Sequence, residues 1–119
     1  MGQRLPLLSD ALPPLATELS VLLKDAGRED LAAQMHSLKI KSPCGCGDHF
    51  CASFHTSGGQ SAYSIDLNPR EGTIIVDVDD HERIIFVEVL FRPEYKEMLD
   101  AIFQALREGL LGDEDGRLL

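Results

Sequence analysis

The sequence predicts an α+β fold: an N-terminal helical hairpin, a four-stranded antiparallel β-meander and a C-terminal helix. Three observations predict it. Apolar residues recur every 3.6 positions from Leu15 to Ala26, the period changes to 2 between Phe50 and Phe91, and the helical period returns from Tyr95 to Leu106. The chain has 119 residues, which fits one domain over residues 1–119. A domain of this size buries roughly two-thirds of the surface its unfolded chain exposes, enough for a core without cross-links. With 44% hydrophobic and 26% charged residues, the composition is globular and excludes a disordered chain.

Residues 1–12 read as an irregular or partly ordered lead-in. In the first helix, Pro14 to Ala26, Leu15, Leu19, Leu22, Leu23 and Ala26 form one stripe. Prolines stand at its start, where a helix tolerates them, and Gly27 follows as a C-terminal cap. A second helix spans about Glu29 to Ser37, with Leu31, Ala32 and Met35 inward and acids in the first turn, where the helix dipole favours them. The pair forms a hairpin.

Leu38 to Lys41 reads as a short strand. Phe50, Ala52 and Phe54 then alternate with Cys51, Ser53 and His55, and Tyr63, Ile65 and Leu67 alternate with Ser64 and Asp66. The loop 57–61 and the turn 68–72 separate the following strands, Thr73 to Val78 and Arg83 to Phe91. The last two are apolar on both faces, a pattern of strands covered by helices or by a partner. The last helix opens at Arg92-Pro93 and runs to about Glu108, with Tyr95, Met98, Leu99, Ile102, Phe103 and Leu106 as its stripe. Residues 110–119 are acidic and read as a flexible tail.

The formal net charge is -9. Residues 1–43 carry five basic side chains (Arg4, Lys24, Arg28, Lys39, Lys41) and five acidic ones (Asp10, Glu18, Asp25, Glu29, Asp30), so the whole excess lies from Cys44 onward. Nucleic acids and anionic membranes both demand a basic footprint, and neither is expected as a partner. No apolar run approaches the ~20 residues that span a bilayer, and the N-terminus lacks a signal-peptide core. Three cysteines, an odd number, fit a reducing compartment better than a disulfide framework. The expected location is cytoplasmic.

The chemically unusual segment is Pro43-Cys44-Gly45-Cys46-Gly47-Asp48-His49-Phe50-Cys51. Glycines at 45 and 47 permit tight bends, so the sulfurs of Cys44 and Cys46 can face one point. Zinc takes cysteine sulfur, histidine nitrogen and carboxylate oxygen in tetrahedral array. The segment supplies three thiols, so a fourth ligand must come from nearby. With Phe50, Ala52 and Phe54 inward, His49, Cys51 and His55 share the opposite face. Pairing that strand with Tyr63–Leu67 would bring Asp66 to the same face. His49, His55 and Asp66 are therefore candidate fourth ligands, with His36 a further one from the second helix. The metal reading, with zinc as cofactor, comprises Cys44, Cys46, Cys51, His49 and His55. Cysteines that pack as small hydrophobes are the bland alternative, and thiol redox chemistry the second functional one. For the latter, a Cys44–Cys46 disulfide is strained by its short ring, whereas Cys44–Cys51 or Cys46–Cys51 closes more easily.

Other constellations stay structural. Asp77, Asp79, Asp80 and Glu82 lack the calcium-loop pattern of an EF-hand and read as a solvated hairpin tip. Glu88, flanked by Ile84, Phe86 and Leu90, is expected opposite Thr73 near a strand end, where water reaches it. No nucleophile elbow, phosphate loop or dinucleotide fingerprint occurs. The expected function is a small non-catalytic binding or interaction domain, with a homodimer or another protein as partner and a zinc or thiol cluster at Cys44–Cys51. A thiol-dependent redox sensor or enzyme is the alternative.

The stretch from Ile75 to Asp79 and from Arg83 to Leu90 resembles a family of short bacterial domains of unknown function, whose β-meander ends in an acidic turn and a Glu-bearing strand. That family has Gly in the turn where this chain has Glu82. The run from Cys44 to Thr56 looks like that of small uncharacterised bacterial proteins. Neither resemblance implies an activity.

Overall fold

The computed structural model describes residues 5–109. Its α+β class and its flanking helices are those the sequence predicts. Helix α1 spans Leu8–Ala11, α2 Pro13–Asp25, α3 Glu29–Ala32, continued by a 3-10 turn over Ala33–His36, and α4 Pro93–Arg107. The strands are β1 Ser42–Pro43, β2 Phe54–His55, β3 Tyr63–Asp66, β4 Thr73–Val78 and β5 Ile84–Leu90. They form one antiparallel sheet of order β1-β2-β5-β4-β3.

The strand order differs from a simple meander. β1 pairs with β2, and β3, β4 and β5 follow one another, but β2 crosses to pair with β5 instead of β3, with Phe54 opposite Val87 and His55 opposite Phe86. The cause is burial. Phe54 is fully buried, and a place beside the apolar centre of β5 gives it Val87 as neighbour, which the outer edge beside half-exposed β3 would not.

Residues 5–12 are not an irregular lead-in. The backbone of Pro6 and Leu8 pairs with Leu38 and Ile40 (Ile40 N to Pro6 O 2.9 Å, Leu8 N to Leu38 O 2.8 Å), and Leu8 and Leu12 are fully buried. The 38–41 segment thus serves this local ladder, and the sheet strand follows it at Ser42. The tail 110–119 lies outside the described residues. Gly27 caps α2 with φ +78°, and α4 opens with Pro93 in its first turn.

Along β4, Ile74, Val76 and Val78 are fully buried while Thr73, Ile75 and Asp77 are half-buried. The buried set joins Leu15, Leu19 and Leu23 of α2 and Leu99 and Phe103 of α4 in one core. Helices therefore cover one face of the sheet. The other face carries Ile75, Phe86 and Leu90, each partly exposed, with no helix over it among the described residues; the two-sided cover expected for β4 and β5 is absent there. At the tip Asp79 pairs with Arg83, one position beyond Glu82, and a bulge between Asp77 and Val78 adds a second step, so Glu88 lies opposite Ile75 instead of Thr73, and Ile84 turns to the core.

The β4–β5 tip is more than a solvated turn. Asp79 is buried, and its Oδ1 accepts from the N–H groups of His81 and Arg83, both at 2.9 Å. These bonds, led by the Arg83 amide, hold its carboxyl below the usual range. Glu82 adopts φ +61°, a region glycine enters freely and other residues seldom do. Its carboxylate accepts from Tyr63 Oη (2.5 Å) and Arg28 (2.7 Å), and Gln34 bonds its carbonyl, pinning the tip to α3 and its 3-10 extension.

Candidate metal centre

The pairing of β1 with β2 at the sheet edge positions the cysteine segment. Cys44 continues the β1 ladder through its N–H to Ser53 O (3.2 Å). The chain then turns through Gly45 (φ +83°) and Gly47 (φ +79°), conformations that cost any L-residue with a Cβ. A last turn, Cys51 N to Asp48 O at 3.2 Å, returns the chain to β2.

Three sulfurs converge as a result. The Sγ atoms of Cys44, Cys46 and Cys51 all lie within 4.8 Å of one another, and those of Cys44 and Cys51 are 3.3 Å apart. All three cysteines are free thiols. Zinc–sulfur bonds of ~2.3 Å in a tetrahedron require sulfurs roughly 3.8 Å apart. The closest pair, at 3.3 Å, and the 4.8 Å within which all three lie stand on either side of that value.

The loop backbone supports charge on the sulfurs. The N–H of Cys46 points to Cys44 Sγ and that of Asp48 to Cys46 Sγ, each at 3.4 Å. Cys51 Sγ is 3.2 Å from Ser53 Oγ, which also accepts from Val89 N at 2.9 Å. Burial and the neighbouring sulfurs push the Cys44 thiol up to about 12. Burial acts the same way on Cys51, but hydrogen bonds from Ser53 and from the Cys44 and Cys46 thiols outweigh it and hold that thiol below its ordinary value. Within this pair the proton leaves Cys51 before Cys44.

The histidines and Asp66 stand apart. No His, Asp or Glu side chain of the described residues joins the three sulfurs. His49 sits at the tip of the turn closed by Asp48 and Cys51, where side chains project outward, and its ring meets the edge of Phe50. His55 packs on Phe86, 4.7 Å between rings, on the face of the sheet away from the helices. Asp66 lies on β3, three strands from β2, roughly 14 Å at ordinary strand spacing; the strand crossing that places β2 beside β5 removes it from reach. His36, exposed at the end of the 3-10 turn, is likewise not part of the cluster.

No protein-family model matches this chain. No curated protein and no solved structure matches it either. The site is therefore read from its own geometry.

Sequence reasoning missed the far wall of the site. A cleft of about 270 Å³ lies between the cysteine loop and α4, whose Lys96, Leu99, Asp100 and Phe103 face the segment. Lys96 Nζ and Asp100 Oδ1 pair at 3.2 Å. The signal was present in the sequence as residues 96, 99, 100 and 103, spaced for one flank of a helix, but nothing in it told which element would pack there. Ser53, two residues from Cys51, carries no role in the sequence reading, yet its hydroxyl lies 3.2 Å from Cys51 Sγ.

Proposed function

We propose that this protein is a small binding domain organised around a zinc ion held by Cys44, Cys46 and Cys51. The observation that carries the reading is the convergence of three sulfurs within 4.8 Å at the end of a glycine-bent loop. Thiolate ligands favour zinc, copper(I) and iron–sulfur clusters over hard cations. Zinc suits a reducing compartment and a role without redox change. The two N–H···S contacts support sulfur in its charged, metal-binding form. The cytoplasmic location and a protein partner or second copy belong to the same reading, as does the likeness to small bacterial domains noted from the sequence.

Metal analysis of protein purified without chelator tests it. Near-stoichiometric zinc, lost in Cys46→Ser, is the expected result. Chelation should lower the melting temperature, because an ion bound only by the folded chain stabilises it. A metal-free preparation that neither takes up added zinc nor changes its melting temperature would remove the reading.

One observation favours a second role for the same residues. Cys44 and Cys51, at 3.3 Å, are the pair nearest to forming a disulfide, and a thiol switch that releases the ion on oxidation is compatible with the site.

A further inference from the structure

Structural zinc sites are closed by four protein ligands, whereas a site with three keeps a position for an exchangeable one. Here three sulfurs converge, no fourth His, Asp or Glu side chain of the described residues joins them, and a cleft opens beside them. Its volume of about 270 Å³ falls below the ~300–1,000 Å³ of sites for drug-sized molecules, so an occupant must be small. Its lining has three chemical zones: the sulfurs at one end, Leu99, Phe103 and Ala52 as an apolar wall, and Lys96 with Asp100 on α4.

We propose that this cleft binds a small thiol compound carrying an anionic group, whose sulfur takes the fourth coordination position of the metal and whose charge lies beside Lys96. The proposal rests on the metal reading above. A fourth thiolate matches the preference of a metal already chosen by three soft ligands. On binding, the S–H bond and the bond from the metal to the water that holds the fourth position break, one metal–sulfur bond forms, and the proton and the water pass to solvent; no oxidant or reductant takes part. The short carbon chain between the two groups lies on Leu99 and Phe103. Lys96 is free to serve because its pairing with Asp100 is an i, i+4 contact with Asp100 largely exposed, a kind of pair worth only ~0.3–0.5 kcal/mol.

Cobalt(II)-loaded protein titrated with 3-mercaptopropionate tests this, with propionate as the control lacking sulfur. Sulfur-to-cobalt charge-transfer absorption is expected to rise by one thiolate's share, saturably, with no response to propionate. Lys96→Leu, which removes the charge without adding a ligand, is expected to weaken the mercaptopropionate response by roughly two- to fivefold, the scale of an exposed ion pair, while leaving the starting spectrum unchanged. An unchanged spectrum on titration, or stripping of the cobalt, overturns the proposal and leaves the metal site standing. Failure of cobalt to bind overturns the metal reading itself. Loss of tetrahedral cobalt bands in Asp100→Asn before any thiol is added would make Asp100 the resident fourth ligand and also overturn the proposal.

Discussion

Arg92 and Glu18 stand 74 residues apart in the chain and meet in a two-pronged ion pair, Nη1 to Oε2 at 2.8 Å and Nη2 to Oε1 at 2.9 Å. Arg92 also bonds Glu94 (2.8 Å) and the carbonyl of Glu71 (3.3 Å), and its guanidinium lies 4.7 Å from the centre of the Tyr95 ring. Tyr95 Oη donates to Glu18 Oε1 at 2.7 Å. One side chain therefore joins α2, α4 and the β3–β4 turn. The Arg92 side chain is only 10% exposed and that of Glu18 24%, so removing the cation strands a carboxylate that has little water. Arg92→Ala should cost about 3–5 kcal/mol in urea unfolding. Arg92→Lys should recover only part of this, since an ammonium cannot form both prongs.

The same pair sets a pH dependence. The bonds from Arg92 hold the Glu18 carboxyl below its ordinary range, against burial, with Tyr95 assisting. A carboxylate with a lowered folded pKa stabilises the fold above its unfolded value, and that contribution is lost as pH falls through the folded one. The stability gap between wild type and Glu18→Gln should thus be full at neutral pH and shrink in acid, below the usual carboxylate range. A gap constant from pH 7 to pH 3 would show that the pair contributes nothing through charge.

Two glycines with similar backbone angles should respond differently to alanine. A Cβ on Gly72 (φ +69°) would meet the carbonyl oxygen of Leu90 at 2.4 Å and Arg92 Cδ at 2.9 Å, whereas one on Gly27 (φ +78°) meets nothing within 4 Å. Gly27→Ala carries only the left-handed penalty, about 1–2 kcal/mol. Gly72→Ala adds a backbone clash and disturbs Arg92, so its cost should exceed that of Gly27→Ala clearly. Thermal or urea unfolding of the two variants side by side decides it.

Helices α2 and α4 and strands β3 to β5 were legible because their apolar periods are long enough to show which face is buried. The sheet order was not. Alternation in Phe50–His55 predicts a strand with Phe50 inward and Cys51 and Ser53 outward, but the strand is only Phe54–His55, Cys51 to Phe54 are all buried and Phe50 is half-buried; nor does alternation tell pairing with Tyr63–Asp66 from pairing with Ile84–Leu90. Leu8 and Leu12 were unreadable for another reason, since α1 has four residues, too few for a period. The site divides in the same way. The bends at Gly45 and Gly47 act locally and brought Cys44, Cys46 and Cys51 together as residue type and spacing suggested. The choice of fourth ligand depended on strand order, and there Asp66 failed; Lys96 and Asp100 came from an element more than forty residues away.

Leu8 supplies a direct check on the buried start of the chain. It is fully buried against the core, so Leu8→Ala should cost about 2–5 kcal/mol, as a large-to-small change in a packed interior does. A cost under ~0.5 kcal/mol, the scale of surface substitutions, would return residues 5–12 to the periphery.

Oxidation of the metal-free protein should be selective for one sulfur pair. Hydrogen peroxide takes two electrons from a thiolate, giving a sulfenic acid; a second thiol then displaces water to form the disulfide. Cys51, with its lowered pKa, and Cys44, 3.3 Å away and still protonated, are placed for these two steps. Cys46 is the most exposed of the three and meets peroxide first in open solution, yet its short ring with Cys44 disfavours that product. Exchange among the three sulfurs then favours the nearest unstrained partners. Peptide mapping after mild oxidation should therefore find the Cys44–Cys51 cross-link dominant with Cys46 alkylatable, and zinc should suppress the reaction by occupying the sulfurs. Equal amounts of all three pairings would mean that the loop does not hold its sulfurs in fixed places, and the metal centre built on that placement would fall with it.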